Sequence, residues 1–184
     1  MSPLRFVYSF LLVLVTLARG ASVRADPQPI ALPDLGQAIT EGDLAGYFAI
    51  PPSGAGLPPG GGTPAQGELA YANHCAACHG DKMQGMPALG APALTGGRGS
   101  LATGKPIKTV ESYWPYPTTL FDYIKRAMPF DAPGSLTNDE VYAVTAYILA
   151  SGRVIESSEL IDASTLPKVA MPNRDGFIPD PRQH

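Results

Sequence analysis

The chain has 184 residues, of which 45% are hydrophobic, and this length favours one modest core with long tails over two separate cores. Its formal net charge is −3 at pH 7, from 13 basic and 16 acidic side chains. An acidic chain without basic clusters argues against a nucleic-acid partner.

The N-terminus has the features of a secretory signal. Arg5 precedes an apolar run from Phe6 to Ala18, and Val23-Arg24-Ala25 offers a small-residue cleavage site. The thirteen residues of the run (18 − 6 + 1) fall short of the ~20 that span a bilayer, which favours cleavage over an uncleaved anchor. Removal of residues 1–25 would leave 10 basic and 16 acidic side chains, a net charge of 10 − 16 = −6, on a periplasmic protein with no membrane span.

Residues 26–62 are rich in proline and glycine and end in Leu57-Pro58-Pro59-Gly60-Gly61-Gly62. This composition disfavours the interiors of helices and strands. It predicts an extended leader with one short helical turn around Glu41 to Tyr47. Such a leader lies on the surface of the domain, reaches toward a partner, or serves as a plain linker.

The first helix is predicted to begin after Thr63. Threonine caps a helix, Pro64 suits its first position, and Gln66 completes a capping box. The helix should therefore run from Pro64 to about Asn73.

Cys75-Ala76-Ala77-Cys78-His79 follows directly and has the spacing that attaches a c-type haem. On a helical turn Cys75 and Cys78 lie on one face, where both can form thioethers with the haem vinyl groups. His79 then lies under the iron, and its neutral imidazole would be the proximal ligand. The motif predicts one covalent haem c.

Two other interpretations of the cysteine pair remain. A thioredoxin-like redox pair is normally found near a strand–helix–strand pattern, whereas here a helix precedes the motif. A structural zinc site needs four ligands, and besides His79 the chain offers only His74 and His184 as further histidines.

Residues 83–108 contain many glycines and no convincing period, so they are predicted to be loops that pack on the cofactor. The next helix should run from about Thr118 to Ala127, because apolar residues recur on one of its faces, and Met128-Pro129 ends it. These apolar residues are Leu120, Phe121 and Ile124.

The clearest helix is predicted to begin at the capping box Thr137-Asn138-Asp139-Glu140 and to end at Gly152. Its buried stripe consists of Val141, Val144 and Ile148. Residues 153–184 follow as an extended, proline-rich tail, in which only Ser157 to Ile161 has helical promise.

An iron held by one histidine needs a sixth ligand if it is to move electrons without binding oxygen or substrate. Met83 and Met86 lie too close behind His79 to cross easily to the opposite face of the haem, and Met171 lies in the tail. Met128 comes 128 − 79 = 49 residues after the histidine, which gives the chain enough length to wrap the haem. Position favours Met128 as the ligand, although a methionine at a helix end is usually core filler.

From Ala65 to Gly152 the sequence resembles the class I cytochrome c family. The resemblance implies an all-α domain over residues 63–152, in which about three main helices and their loops wrap a covalently bound haem. It also implies extended tails at both ends of this domain.

The same resemblance assigns roles to individual residues. It implies that Cys75 and Cys78 attach the haem and that His79 and Met128 ligate its iron. Pro92 resembles the proline whose carbonyl accepts the Nδ1–H of the proximal histidine, and Leu94 resembles the apolar residue packed on the ring. Gly67, Tyr71 and Tyr147 resemble the residues at which the first and last helices of the family cross.

Three segments extend the resemblance to the cytochrome subunit of bacterial sulfite and sulfur dehydrogenases. They are residues 108–124, which include Tyr113-Trp114-Pro115-Tyr116, residues 127–133, and residues 166–177 in the tail. The similarity implies a molybdenum-cofactor dehydrogenase subunit as electron donor, a downstream cytochrome c or oxidase as acceptor, and no substrate chemistry in this chain. Some relatives carry two haems, whereas the single Cys-x-x-Cys-His motif here holds one.

Several points stay open. Trp114 is either a core residue or an indole that lies against the haem edge or a propionate. Arg98 and Lys105 either pair with the propionates or are solvated. Alternative functions are an electron carrier for another periplasmic dehydrogenase, a haem enzyme or small-ligand binder with a labile sixth position, and a passive partner subunit.

Overall fold

The computed structural model describes Thr40, residues 49–178 and Arg182. The chain divides into two units after Thr40, and every described element lies in the second, residues 41–184. The elements are β1 (Gly61–Gly62), α1 (Pro64–His74), α2 (Ala76–His79), α3 (Val110–Tyr113), α4 (Pro117–Ala127), α5 (Asn138–Ser151) and β2 (Ile161–Asp162). The predicted secretory signal and the helical turn predicted at Glu41 to Tyr47 lie outside the described residues.

α1 begins where its capping box predicts. The Gln66 side chain accepts a hydrogen bond from the Thr63 N–H at 2.9 Å, and the Thr63 hydroxyl accepts one from the Gln66 N–H at 3.4 Å. These bonds satisfy two backbone donors that a helix start would otherwise leave unpaired. The predicted helix is confirmed and extends one residue further, to His74.

α5 is also confirmed. Its capping box joins Thr137 and Glu140, and its predicted stripe of Val141, Val144 and Ile148 is no more than 3% exposed. Hydrogen bonds from Thr137 lower the pKa of the Glu140 carboxyl below its ordinary value.

The crossing of α1 and α5 forms the centre of the fold. A Cβ atom at Gly67 would lie 1.9 Å from the Ala143 carbonyl oxygen, so the two backbones approach at a distance that only glycine allows. The Tyr71 and Tyr147 rings pack beside this point, with their centroids 5.4 Å apart. The predicted crossing is therefore confirmed.

α4 packs on α5 through the apolar face that the sequence predicts. Leu120, Phe121 and Ile124 are at most 4% exposed, and the centroid of the Phe121 ring lies 4.4 Å from that of Tyr142. The helix begins at Pro117, one residue before the predicted start, because proline is well suited to a first helical position.

The described residues on both sides of 63–152 pack against the same body. Tyr142 donates a hydrogen bond to the Pro58 carbonyl at 2.8 Å, and burial, with a contribution from Asp162, raises its pKa to about 12. β1 pairs antiparallel with β2, with Gly61 opposite Asp162 and Gly62 opposite Ile161. The boundaries at 63 and 152 stay predictions, but core packing crosses both.

Two details differ from the sequence analysis. Ser157 to Ile161 does not form a helix, because Ile161 belongs to β2 and its side chain is fully buried in the core. The short helix α3 was not predicted: its capping box uses Ser112 in place of the usual Glu or Gln. Residues 83–108 are loops, as predicted, with short 3₁₀ turns at Pro87–Leu89 and Ser100–Ala102.

Candidate haem site

The Cys75–His79 motif forms a single helical turn at the end of α1. The Cys78 and His79 N–H groups both donate to the Cys75 carbonyl oxygen, at 3.1 and 2.9 Å. This turn leaves Cys75 half-buried and Cys78 exposed.

The Cys75 thiol is poorly suited to redox exchange. Burial, with a smaller contribution from Cys78, raises its pKa to about 11. Reactive cysteines instead have a lowered pKa, because the thiolate is the nucleophile. The thioredoxin-like interpretation also lacks the strand–helix–strand context that it requires, because helix α1 precedes the motif.

His79 is held in one orientation by the loop that follows it. Its Nδ1 lies 2.8 Å from the Pro92 carbonyl oxygen. Because a carbonyl can only accept, Nδ1 carries the proton and donates, which leaves the Nε2 lone pair available to a metal. A histidine ligand fixed through its second nitrogen in this way is typical of metal centres in proteins.

A small hairpin positions the Pro92 carbonyl. Met86 and Ala91 exchange backbone hydrogen bonds of 2.9 and 3.3 Å, and the Leu94 N–H donates to the Met83 carbonyl at 2.9 Å. Gly85 has φ +77°, and a Cβ there would lie 2.5 Å from the Ala93 nitrogen. Leu94 is half-buried and packs against the core beside this hairpin.

The methionines differ in their surroundings. Met83 and Met171 are 2% and 4% exposed and belong to the hydrophobic core. Met86 is 39% exposed in the hairpin. Met128 is half-buried at the end of α4, where its N–H donates to the Ile124 carbonyl at 3.1 Å. Its assignment as the sixth ligand stays a prediction.

Trp114 directly follows α3 and is half-buried against the core. Its ring meets Tyr123 of α4 edge-on, with centroids 5.8 Å apart and an interplanar angle of 89°. Tyr123 is not among the predicted site residues, although an aromatic side chain on the otherwise polar face of α4 is a signal for such a role.

Arg98 is committed to other groups than a haem propionate. Its Nε lies 3.2 Å from Glu111 Oε1, and its Nη2 donates to the Gly152 carbonyl. The sequence left Arg98 open between a haem propionate and solvent, and the structure shows it in this ion pair, which joins residues that no local pattern connects.

The residues present fit a haem. The motif supplies two thiols and an imidazole with a free Nε2, and half-buried apolar side chains can cover a flat ring. These side chains are Leu94, Trp114 and Met128. Among the described residues no cluster of three His, Cys, Asp or Glu side chains is placed to hold another metal ion, so the zinc interpretation has no ligand set there.

Comparison with known proteins agrees with this geometry. The cytochrome c family model matches residues 64–151. A chain in the crystal structure of the sulfane dehydrogenase SoxCD from Paracoccus pantotrophus superposes with a TM-score of 0.71 and 38% identity, over 82% of this chain and 74% of that chain. The chain belongs to the cytochrome c family.

The predicted all-α class I fold with its covalently attached haem c is confirmed, and the relatives that this chain resembles are dehydrogenases of sulfur compounds. A thiosulfate dehydrogenase from Stutzerimonas stutzeri (strain A1501) is 34% identical over 110 residues, which make up 58% of this chain. The match spans only 33% of that enzyme, about a third of its length. No described helix of the cytochrome is both long and apolar enough to cross a bilayer.

Proposed function

We propose that this cytochrome is a periplasmic electron carrier that accepts electrons from a molybdenum-containing sulfite or sulfur dehydrogenase. It passes them to a downstream cytochrome c or to an oxidase. The observation that carries the proposal is the likeness to a chain of a sulfane dehydrogenase at 38% identity over 74% of that chain. Export through residues 1–25 would place the protein in the compartment where these reactions occur.

Each residue of the site has a defined task in this proposal. When bound, the haem supplies a one-electron couple between Fe(III) and Fe(II). Cys75 and Cys78 hold the ring covalently, while His79 Nε2 and the Met128 sulfur bind the iron. The Pro92 carbonyl keeps the His79 ring oriented, as its 2.8 Å contact with Nδ1 supports.

Leu94 and Trp114 cover the ring and keep water away from it. Ligation by methionine and histidine raises the reduction potential, which suits an electron acceptor. In this scheme the chain performs no substrate chemistry, and oxidation of the sulfur compound takes place on the partner subunit.

The decisive experiment mixes ferric cytochrome with a candidate dehydrogenase and sulfite or a sulfane substrate, and follows haem reduction by stopped flow. We expect rapid reduction that requires both the dehydrogenase and its substrate. If sulfur substrates give no reduction and a different periplasmic dehydrogenase reduces the cytochrome rapidly, the proposed donor is wrong and a carrier for that other enzyme remains.

A second experiment addresses the location and the partner. Affinity purification from the native periplasmic fraction, with molybdenum and haem analysis, should recover a molybdenum subunit in a fixed ratio to the cytochrome. Recovery from the cytoplasmic fraction alone would contradict the proposed export.

A further inference from the structure

The described C-terminal residues return to the segment that carries Trp114. Asn173 Nδ2 donates a hydrogen bond of 2.7 Å to the Tyr113 carbonyl oxygen, across sixty positions of sequence. Asn173 itself is half-buried. A backbone acceptor that the short helix α3 leaves open is thus satisfied by a side chain from the tail.

Two aromatic contacts act on the same segment. The Phe177 ring meets Tyr113 edge-on, with centroids 5.2 Å apart at 68°. The Arg174 guanidinium lies 5.3 Å from the centroid of the Tyr116 ring, within the range of a cation–π contact. We call Asn173, Arg174 and Phe177 the tail clamp, and its contacts fall on both sides of Trp114.

The tail clamp is anchored to the body. Met171, two residues before it, is 4% exposed in the core. The Arg174 N–H donates to the Met171 carbonyl at 3.2 Å, and the Gly176 N–H donates to the Asn173 carbonyl at 3.1 Å. These two turns hold the Asn173 side-chain amide in place beside α3.

The segment from Tyr113 to Tyr116 needs such support. α3 has only four residues, fewer than a helix requires to be stable by itself. Trp114 and Tyr116 then have extended backbone conformations before Pro117 begins α4. Trp114 is therefore held by its edge contact with Tyr123, by core packing, and by the neighbours that the tail clamp fixes.

We propose that the tail clamp positions Trp114 over the haem, with Asn173 and Phe177 as the positioning residues. This inference rests on the proposed place of Trp114 beside the ring, and it does not depend on which protein donates the electrons. A clamped indole excludes water from the haem, whereas a released indole admits it. Solvent exposure is one of the factors that set the potential of a protein-bound iron centre, and water favours the more highly charged ferric form.

The test uses full-length holoprotein in which the tryptophan is replaced by fluorotryptophan. Because the chain has one tryptophan, fluorine NMR gives a single resonance that reports Trp114 alone. Asn173→Ala and Phe177→Ala should shift this resonance toward its value in unfolded protein and lower the reduction potential. Phe177→Tyr should retain both wild-type values, since a tyrosine ring keeps the edge contact.

Asp175→Asn is the matched control, because Asp175 lies within the same turns and is exposed. It should leave the resonance and the potential unchanged. Haem content and the absorption spectrum of each variant establish that it is folded before it is compared.

Either of two results would overturn the proposal. If Asn173→Ala and Phe177→Ala keep the wild-type resonance, the tail clamp does not position Trp114, even where the melting temperature falls. If the resonance moves while the potential stays at the Asp175→Asn value, Trp114 does not cover the haem. Both readouts use the isolated cytochrome, so failure of the proposed dehydrogenase partner leaves them unaffected.

Discussion

The hydrogen bond between His79 Nδ1 and the Pro92 carbonyl decides which nitrogen can bind the iron. The sequence motif places a histidine after two cysteines, but it carries no information on the orientation of the ring. That orientation depends on a carbonyl thirteen residues later, in a hairpin shaped by the left-handed Gly85. Without the resemblance to class I cytochromes c, no local pattern pointed to Pro92.

Met128→Ala should abolish the weak near-infrared band at ~700 nm that a methionine–histidine axial pair gives in the ferric state. The vacated position should then bind cyanide or carbon monoxide, as absorption spectra would show. Met86→Ala is the control, because Met86 is 39% exposed and can be truncated without a cavity. If the band is lost in Met86→Ala instead, Met86 and not Met128 is the sixth ligand.

Replacement of both Cys75 and Cys78 by alanine should remove covalent haem. Wild-type protein should retain haem staining on a denaturing gel, because thioether bonds survive denaturation, whereas the double variant should show none. Little folded double variant is expected, since the loops of residues 83–108 are predicted to pack on the cofactor. Haem that leaves the wild-type protein in acidic organic solvent would contradict covalent attachment.

At the scale of helices, the tightest contact is the one between α1 and α5. Gly67→Ala would place a methyl group 1.9 Å from the Ala143 carbonyl oxygen, so the helices must separate. We expect a loss of roughly 1–3 kcal/mol in the free energy of unfolding, the usual cost of overpacking. Gly104→Ala has no atom within 4 Å of the new methyl group and should change stability little in the same denaturant titration.

The capping box of α5 should contribute to the pH dependence of stability. The folded-state pKa of Glu140 is lowered by hydrogen bonds from Thr137, so its contribution is full above the ordinary pKa of glutamate, ~4.3. The contribution is lost as the pH falls further, through the lowered folded-state value. Urea titrations should therefore show that the free energy of unfolding falls less below this pH in Glu140→Gln than in wild type. Equal falls in the two proteins would contradict a contribution from Glu140.

Local signals explain which elements the sequence predicts. The starts of α1 and α5 are specified by capping boxes within four residues, and the apolar period of α4 lies within the helix itself. Ser157 to Ile161 is the part of the tail whose sequence favours a helix, and it is not helical because Ile161 pairs with Gly62, far away in sequence. The contacts of Asn173 with Tyr113 and of Arg98 with Glu111 also join residues distant in sequence. No local sequence pattern around these residues predicts them.

At the scale of the whole molecule, an electron carrier has to bring its haem edge close to its donor. Phe130 is 85% exposed, two residues after Met128, on a turn closed by the Ala132 N–H and the Pro129 carbonyl. Exposed aromatic residues are enriched among the anchors of protein interfaces. Phe130 is therefore the side chain that we expect to meet the donor.

Phe130→Ser should slow haem reduction by the proposed dehydrogenase at least several-fold and leave the absorption spectrum and the reduction potential unchanged. Leu69→Ser, at a residue that is 70% exposed on α1, serves as the control and should reduce at the wild-type rate. Equal rates for all three proteins would place the donor elsewhere on the surface.

The pairing of Gly61 with Asp162 joins positions 162 − 61 = 101 residues apart. The ladder consists of only two residue pairs, and a two-stranded pairing is marginally stable by itself. It should therefore open more readily than α5 in the native protein, and its amide hydrogens should exchange with solvent before those of Val144 and Ile148. A protease should therefore cut the folded cytochrome first near this ladder, at residues close to 61 or 162. The crossing of α1 and α5 and the attached haem should stay intact in the product.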